Sequence, residues 1–369
     1  MSVHDRIVAA FSFQPPGCVP TFDSFWVYPD AWRERFGAPE LLTDMEIWVP
    51  DESMYPTRAH FVKEEDGWIY EVNPWGALIR RRPGGYFTET LEVPIPEGTD
   101  PEDVRFDDPL MESRYLQGAA SEAETLRRLA EAKRIHGIFG KTGGPYLRTT
   151  FVRGETQFLV DMASDPGLAR ALAEKVADHL IAIGREQLRR WDLASTGIGI
   201  YDDMAHNRGP MFSPASFERI LLPAYRRMVR AYKDAGARWV FLHSDGDIRL
   251  LLDMLVDAGI DGLNPLERRA GMAIEEIRKK YPRLVLTGGM CNTDTLLNGP
   301  VGRIRNEARR ILDLGRDGGI VIGTHSISPE IPPDHLAAYL EEVGHAVGTT
   351  SAAHAPAAPT AAAPRSAPR

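Results

Sequence analysis

The sequence predicts an α/β protein, a closed (β/α)8 barrel of the TIM-barrel type carrying an N-terminal insertion of antiparallel strands. Three observations predict it. From Ala119 onward, short apolar runs alternate with longer helical patterns across short connections, the rhythm of parallel strands and covering helices. The run Trp239-Val240-Phe241-Leu242 has no polar alternation, so it reads as a strand buried on both faces. No Gly-x-Gly-x-x-Gly follows a strand, which argues against an open doubly wound sheet binding a dinucleotide. The units after Ala119, together with Val19 to Phe22, approach the eight of a closed barrel.

In order, His4 to Phe13 reads as a short helix ended by Gln14-Pro15-Pro16-Gly17. Val19 to Asp23 is a first strand with Asp23 at its exit. Residues 25–113 lack the strand–helix rhythm and are rich in tryptophan and proline, so they are read as an insertion or cap. Within it, Trp68 to Val72, Ala77 to Arg80 and Tyr86 to Val93 read as antiparallel strands joined by turns at Asn73-Pro74-Trp75-Gly76 and Pro83-Gly84-Gly85. Helices follow at Ala119–Arg134, Thr149–Ala163, Pro166–Arg190, Pro214–Ala235, from Ile248 to Ala258, and at Ala273–Lys280, Val301–Leu314 and Pro333–Val343. The interleaved strands are Gly137–Gly140, Gly197–Tyr201, Trp239–Leu242, Ile260–Leu263, Leu284–Leu286 and Gly319–Ile322. Ser213 is placed as an N-cap and Gly236 as a stop. Residues 1–345 form the barrel, and 346–369, mostly Ala, Pro, Ser and Thr, form a disordered tail.

At 43% hydrophobic and 26% charged residues the composition is globular. The formal net charge is −9, and setting aside the tail's Arg365 and Arg369 leaves the body near −11. An acidic body argues against nucleic acid as a partner. Two cysteines, Cys18 and Cys291, build neither a disulfide framework nor a Cys-rich zinc pattern. Ile7 to Phe13 is too short for a signal peptide, and no stretch reaches transmembrane length. The expectation is a soluble, cytoplasmic protein with no membrane partner, and a homodimer is an open option for its assembly.

Strand ends converge on one mouth in a barrel. Asp23, Lys141, Asp202, Asp203, His243, Asp245, Asp247, Glu267, Cys291 and His325 all fall there. Crowded carboxylates repel one another unless a cation or proton sits among them. The mouth is therefore suited to a metal, a cationic ligand or general acid chemistry. His243 and Asp245, two apart at a strand end, project to the same side, and Ser244 points the other way. With His325 beyond the last strand they make three N/O donors, the number that holds catalytic zinc with one position open and also suits non-haem iron. Without a metal, the two histidines are hydrogen-bonded mouth residues, and spacing alone leaves both readings open. Lys141, Asp202, Phe25 and Trp26 are the candidates for substrate contact. For each there is a plainer role: Lys141 shaping the following glycine turn, Asp202 capping the next segment, and the aromatics packing the insertion's own core.

These segments resemble the uroporphyrinogen decarboxylase superfamily, from about Val19 to Val343. The resemblance rests on Gly140-Lys141-Thr142-Gly143-Gly144-Pro145, Asp165-Pro166, Pro223-Ala224-Tyr225, Gly236-Ala237, His243-Ser244-Asp245-Gly246-Asp247, Ala258-Gly259-Ile260-Asp261-Gly262-Leu263-Asn264-Pro265, and Ser328-Pro329-Glu330-Ile331-Pro332-Pro333. It implies a (β/α)8 barrel with its site at the carboxyl ends of the strands. True uroporphyrinogen decarboxylases carry an arginine-rich motif after the first strand, where this chain reads Phe22-Asp23-Ser24-Phe25-Trp26. The chain is more similar to the cobalamin-dependent methyltransferase branch, some members of which bind zinc with a His-x-Cys pair and a later Cys. The resemblance implies zinc at His243, Asp245 and His325, a small methylated substrate, and a corrinoid supplied by a partner protein. Asp203 or Glu267 would protonate the leaving heteroatom. The alternatives are a cofactor-free decarboxylase of a small or tetrapyrrole-like acid, with Asp23 or Asp203 holding a cationic or neutral portion of it, and a barrel that binds a ligand without turnover.

Overall fold

A computed structural model describes residues 1–85, 87–324 and 326–345. Tyr86, His325 and residues 346–369 lie outside them, so the ligand role expected of His325 and the disorder expected of the tail fall on residues that are not described.

The chain opens with α1 (Val3–Phe11) and α2 (Asp30–Phe36), followed by strand β1 (Met45–Trp48). Strands β2 (His60–Glu65), β3 (Trp68–Val72), β4 (Leu78–Arg81) and β5 (Thr88–Glu92) form a separate antiparallel sheet. After α3 (Glu122–Ala132) come β6 (Gly137–Gly143), α4 (Pro145–Arg153), α5 (Glu155–Ser164), α6 (Pro166–Arg190) and β7 (Gly197–Tyr201). A two-residue-per-strand hairpin, β8 (Ala205–His206) and β9 (Gly209–Pro210), precedes α7 (Pro214–Ser216), which runs through one widened turn into α8 (Leu222–Asp234). Then follow β10 (Trp239–His243), α9 (Leu252–Asp257), β11 (Gly262–Asn264), α10 (Ile274–Lys280), β12 (Val285–Gly289), α11 (Val301–Leu314), β13 (Ile320–Gly323) and α12 (Pro333–Glu342).

Seven strands pair in parallel in the order β1-β6-β7-β10-β11-β12-β13. The expected first strand closes the ring. Phe22 N donates to Ile322 O (2.8 Å) and Ile322 N to Pro20 O (2.9 Å) on one side, while Met45 N donates to Thr21 O (3.0 Å) on the other. Residues 20–24 therefore occupy the eighth position between β13 and β1, as a (β/α)8 barrel requires.

The insertion is smaller than expected. Residues 25–113 include α2 and the barrel strand β1, whose register with β6 pairs Met45 with Gly137 and Trp48 with Gly140. Only four residues long, and carrying Glu46, β1 gave no clear apolar run. The antiparallel sheet itself is where the alternating patterns placed it, with β2 added at its edge. Asn73 Oδ1 accepts from Trp75 N and Ala77 N, both at 3.0 Å, and the turn so formed sets Trp75 edge-on against Phe151 of α4, 4.9 Å between ring centres.

Other differences have local causes. The helical stretch expected at Thr149–Ala163 is two helices, α4 and α5, broken at Gly154. The helix expected from Ile248 starts at Leu252, because Asp247 Oδ1 accepts from Arg249 N (3.1 Å) and holds the chain in a turn. Ser213 does cap its helix, accepting from Ser216 N at 3.1 Å.

Helix α1 plugs the amino-terminal end of the barrel. Phe11 packs against Phe139 (5.0 Å) and Trp239 (5.1 Å), and Phe139 meets Phe241 edge-on at 5.6 Å. Phe241 fills the barrel centre because Gly199 faces it; a Cβ there would stand 2.4 Å from the ring. Each such fully buried side chain contributes about 1.5–3 kcal/mol. Above this apolar plug, the same inward faces of the strands turn polar at Lys141, Tyr201, His243 and Asn264. Among the described residues, no helix is long and apolar enough to cross a membrane.

Candidate metal centre

Strand alternation sets the site. In β10, Trp239 and Phe241 face the barrel interior and so does His243, the last strand residue. The same alternation in β7 brings Tyr201 inward. The Tyr201 and His243 rings stack at 4.4 Å with an interplanar angle of 12°. From β11, Asn264 Oδ1 lies 2.5 Å from His243 Nδ1. The Asn264 amide is oriented by its own donor, which reaches Thr287 O at 3.2 Å. With Oδ1 thus facing the imidazole, Nδ1 carries the proton. Nε2 is then the metal-binding or proton-accepting nitrogen, the arrangement in which an outer partner fixes the tautomer of a ligating histidine.

Nε2 faces two carboxylates. Asp245 Oδ1 is 3.7 Å away and Asp203 Oδ1 3.9 Å away. Asp203 Oδ1 also accepts from Asp245 N at 3.0 Å. The three side chains each offer a donor atom, all within 4.8 Å of one another. Two ligands at about 2.05 Å from a tetrahedral zinc stand about 3.3 Å apart, so these separations need to tighten by roughly half an ångström. One neutral imidazole and two carboxylates also balance a divalent charge. The donor set fits zinc. The fit includes Asp203, expected from the sequence as a proton donor, beside His243 and Asp245, expected as ligands.

The loop carrying Asp245 is braced from behind. Glu267 Oε2 accepts from Gly246 N at 2.9 Å and its other oxygen lies 3.8 Å from Arg269 Nε. Gly246 has φ +81°, and a Cβ there would stand 2.7 Å from Ala205 O of the β8–β9 hairpin, so this position requires glycine. Ser244 points away from the cluster, as expected, and its Oγ accepts from Met204 N (3.1 Å).

Other candidates do different things. Asp202, expected at the substrate, is fully buried on the opposite side of the chain from Asp203. It accepts from Tyr146 N (3.1 Å), Leu147 N (2.6 Å) and Tyr225 OH (2.6 Å). It caps α4, a helix that precedes it in the chain and not the segment that follows, and ties it to α8. Burial pushes its carboxyl up to about 6, against the pull of those hydrogen bonds. Asp23, expected as a catalytic group, accepts from Thr324 N (2.9 Å) and from Tyr339 OH (2.9 and 3.0 Å), between the closing strand and α12. Phe25 meets Tyr28 edge-on at 5.2 Å and bridges Ile327, while Trp26 N donates to Ile327 O and its side chain is 58% exposed. Lys141 faces the mouth, its Nζ 4.7 Å from the centre of the Tyr201 ring.

Asp23 carries a pH prediction. Burial raises its carboxyl from 3.8 to about 7, against the hydrogen bonds from Thr324 and Tyr339. The folded state therefore holds this proton more tightly than the unfolded chain, and stability falls as pH rises from about 4 to 7. At roughly 1.4 kcal/mol per tenfold difference in proton affinity, the loss is up to about 4 kcal/mol. Asp23→Asn removes the titration and keeps an acceptor for Thr324 N. Urea unfolding at pH 5 and pH 8 should show the variant gaining on the native protein at pH 8; an equal difference at both pH values refutes this.

Three features of the site were missed from sequence. Asn264 was visible only as part of a strand-end cluster, and Tyr201 only as the end of an alternating Gly197-Gly199-Tyr201 series. The Glu52–Arg148 pair had no sequence signal. Glu52 Oε1 accepts from Arg148 Nε at 2.8 Å and Nη2 at 2.5 Å, and its other oxygen accepts from Gly143 N. Burial alone would raise the Glu52 carboxyl, but Arg148 and Lys141 hold it below its ordinary value.

Comparison with known proteins adds the lineage. The profile of the uroporphyrinogen decarboxylase (URO-D) family matches residues 90–345. A uroporphyrinogen decarboxylase of Syntrophotalea carbinolica is 28% identical over 275 residues, 69% of this chain and 71% of that one. The methylcobamide:CoM methyltransferase MtaA of Methanosarcina barkeri is 29% identical over 129 residues, 35% of this chain and 36% of its own. In solved structures, a methyltransferase from Methanosarcina mazei superposes with a TM-score of 0.61 at 16% identity, covering 93% of this chain and 98% of that one, which speaks for the fold alone. By the extent of the matched segment and the barrel that carries it, the chain belongs to the uroporphyrinogen decarboxylase (URO-D) family.

Proposed function

We propose that the protein is a zinc-dependent methyltransferase that moves a methyl group from a small methylated donor to a corrinoid held by a separate protein. The observation that carries the reading is the Asn264–His243 contact, which aims Nε2 between Asp203 and Asp245. In this reading Asp203, His243 and Asp245 hold the metal, with His325 as the further ligand expected from the sequence. Bound zinc supplies Lewis acidity toward the heteroatom that carries the methyl group. The chain's own residues do the rest. Asn264 fixes the imidazole, Glu267 fixes the Asp245 loop through Gly246, and Tyr201 backs the imidazole ring. The roles first expected for Asp203 and Glu267, protonating the leaving heteroatom, give way to holding and bracing the site. An oxygen-rich donor set is a harder Lewis acid than a thiolate set, so oxygen- or nitrogen-linked methyl groups suit it better than methylated thiols.

The test is metal analysis of the purified protein with a methyl-transfer assay to reduced cobalamin. About one zinc per chain and donor-dependent methylcobalamin formation are expected. Asn264→Ala should weaken zinc binding by roughly 10–100-fold in a chelator competition, the usual cost of losing an outer-shell partner. Unchanged affinity in that variant, or native protein that takes up no zinc, overturns the proposal. The relatives named uroporphyrinogen decarboxylase support a second reading, decarboxylation of a small acid, and carbon dioxide release by metal-free protein would favour it.

A further inference from the structure

Among the described residues, Lys141 is the one inward-facing cation of the strand layer that carries Tyr201, His243 and Asn264. Its ammonium lies 4.7 Å from the Tyr201 ring centre, and that ring stacks 4.4 Å from His243, so the ammonium is at most about 9 Å from the imidazole, the sum of the two separations. Among the described residues, no carboxylate lies within 4.0 Å of Lys141 Nζ, and Nζ makes no hydrogen bond. The carboxylates whose charge reaches it make their hydrogen bonds elsewhere: Glu52 with Arg148 and Gly143 N, and Asp203 with Asp245 N. The site is largely withdrawn from water, and burial lowers the ammonium from its ordinary value.

The charges of Glu52 and Asp203 act on the ammonium from beyond ion-pair distance, and the Tyr201 face gives it a cation–π contact. Neither gives Nζ a charge-assisted hydrogen bond. An anionic ligand at the mouth would complete that ion pair.

We propose that Lys141 anchors a carboxylate, and that the substrate is a small molecule with a carboxylate at one end and its methyl-bearing heteroatom at the other. The inference rests on the proposed zinc site only for where the heteroatom goes. With zinc bound, Asp203 and Asp245 balance its charge, so Lys141 is the cation left for an anionic end, and a carboxylated substrate enters with that end at Lys141. Attraction at that one point sets the register of the methyl group.

The probes are matched pairs differing only in charge: 3-methoxypropanoate with its amide, and methoxyacetate with its amide. Calorimetric titration into the zinc-supplemented protein should give a carboxylate affinity roughly tenfold or more above the amide, the range of a charge-assisted hydrogen bond. Lys141→Met should erase the difference and Lys141→Arg retain part of it. Equal affinity within each pair in the native protein, including no detectable binding by either member, overturns the proposal. So does a preference that survives in Lys141→Met. The same titrations on His243→Ala, with its zinc content measured alongside, separate the two ideas: a carboxylate preference that persists there leaves Lys141 as the anchor, while zinc retained at native affinity removes the zinc reading instead.

Discussion

His243→Ala protein is expected to be purified without zinc and to lose methyl transfer by more than the roughly 10–100-fold that loss of an outer-shell partner costs. The imidazole is the sole nitrogen donor of the described cluster. Without it, Asp203 and Asp245 are left as two carboxylates with no nitrogen donor between them. Asp203→Asn and Asp245→Asn each remove one formal charge from the set and should weaken zinc binding while leaving some bound. The graded order, with alanine at 243 worst, distinguishes a ligand set from a merely acidic patch. Truncation also leaves Asn264 Oδ1 without its donor and opens space beneath Tyr201, so thermal melting must accompany the metal analysis. A His243→Ala protein that binds zinc as tightly as the native chain would sink the metal centre.

Removing Glu52 should be the most damaging change to stability. Glu52→Ala strands the Arg148 guanidinium, 8% exposed in its side chain and held between Trp75 (5.1 Å) and Phe151 (4.9 Å). It also leaves Gly143 N without an acceptor. Breaking a buried pair from one side costs about 3–5 kcal/mol. Glu52→Gln keeps an acceptor for Gly143 N and should cost roughly 1–3 kcal/mol. Urea midpoints of the two variants check the order; equal losses, or none in Glu52→Ala, contradict it. Because Trp75 belongs to the turn between β3 and β4, the larger loss should be accompanied by faster proteolysis within β2–β5, whose contact with α4 it loosens.

Much of the barrel was legible because each strand carried one property along its whole length. An unbroken apolar run marked β10, and the turn to polar residues at His243 marked its exit. Period-two spacing then put His243 and Asp245 on one side and Ser244 on the other, as found. The same logic misassigned Asp202: adjacent residues at a strand end face opposite ways, and only Asp203 of the pair faces the histidine. Strand β1 was illegible because four residues with a central glutamate carry too little pattern. Asn264 and Glu52 were illegible for another reason. Their partners, Nδ1 of His243 and the guanidinium of Arg148, come from other barrel units, and spacing within one segment reports nothing about such contacts.

The closure of the ring by residues 20–24 has a consequence for how the protein is made. Asp23 accepts from Thr324 N across 301 positions of chain, and Phe22 pairs with Ile322 in the same seam. At about 5–20 residues per second, a ribosome needs roughly 15–60 s between emitting the first strand and the last. Through that interval the first strand can be held on one side alone, by β1, while its other edge stays open beside a growing sheet. Contacts so distant in sequence also slow the final step. The nascent chain thus carries an unpaired strand edge for most of its synthesis, the kind of surface that chaperones shield, and completion of the ring is the event that retires it.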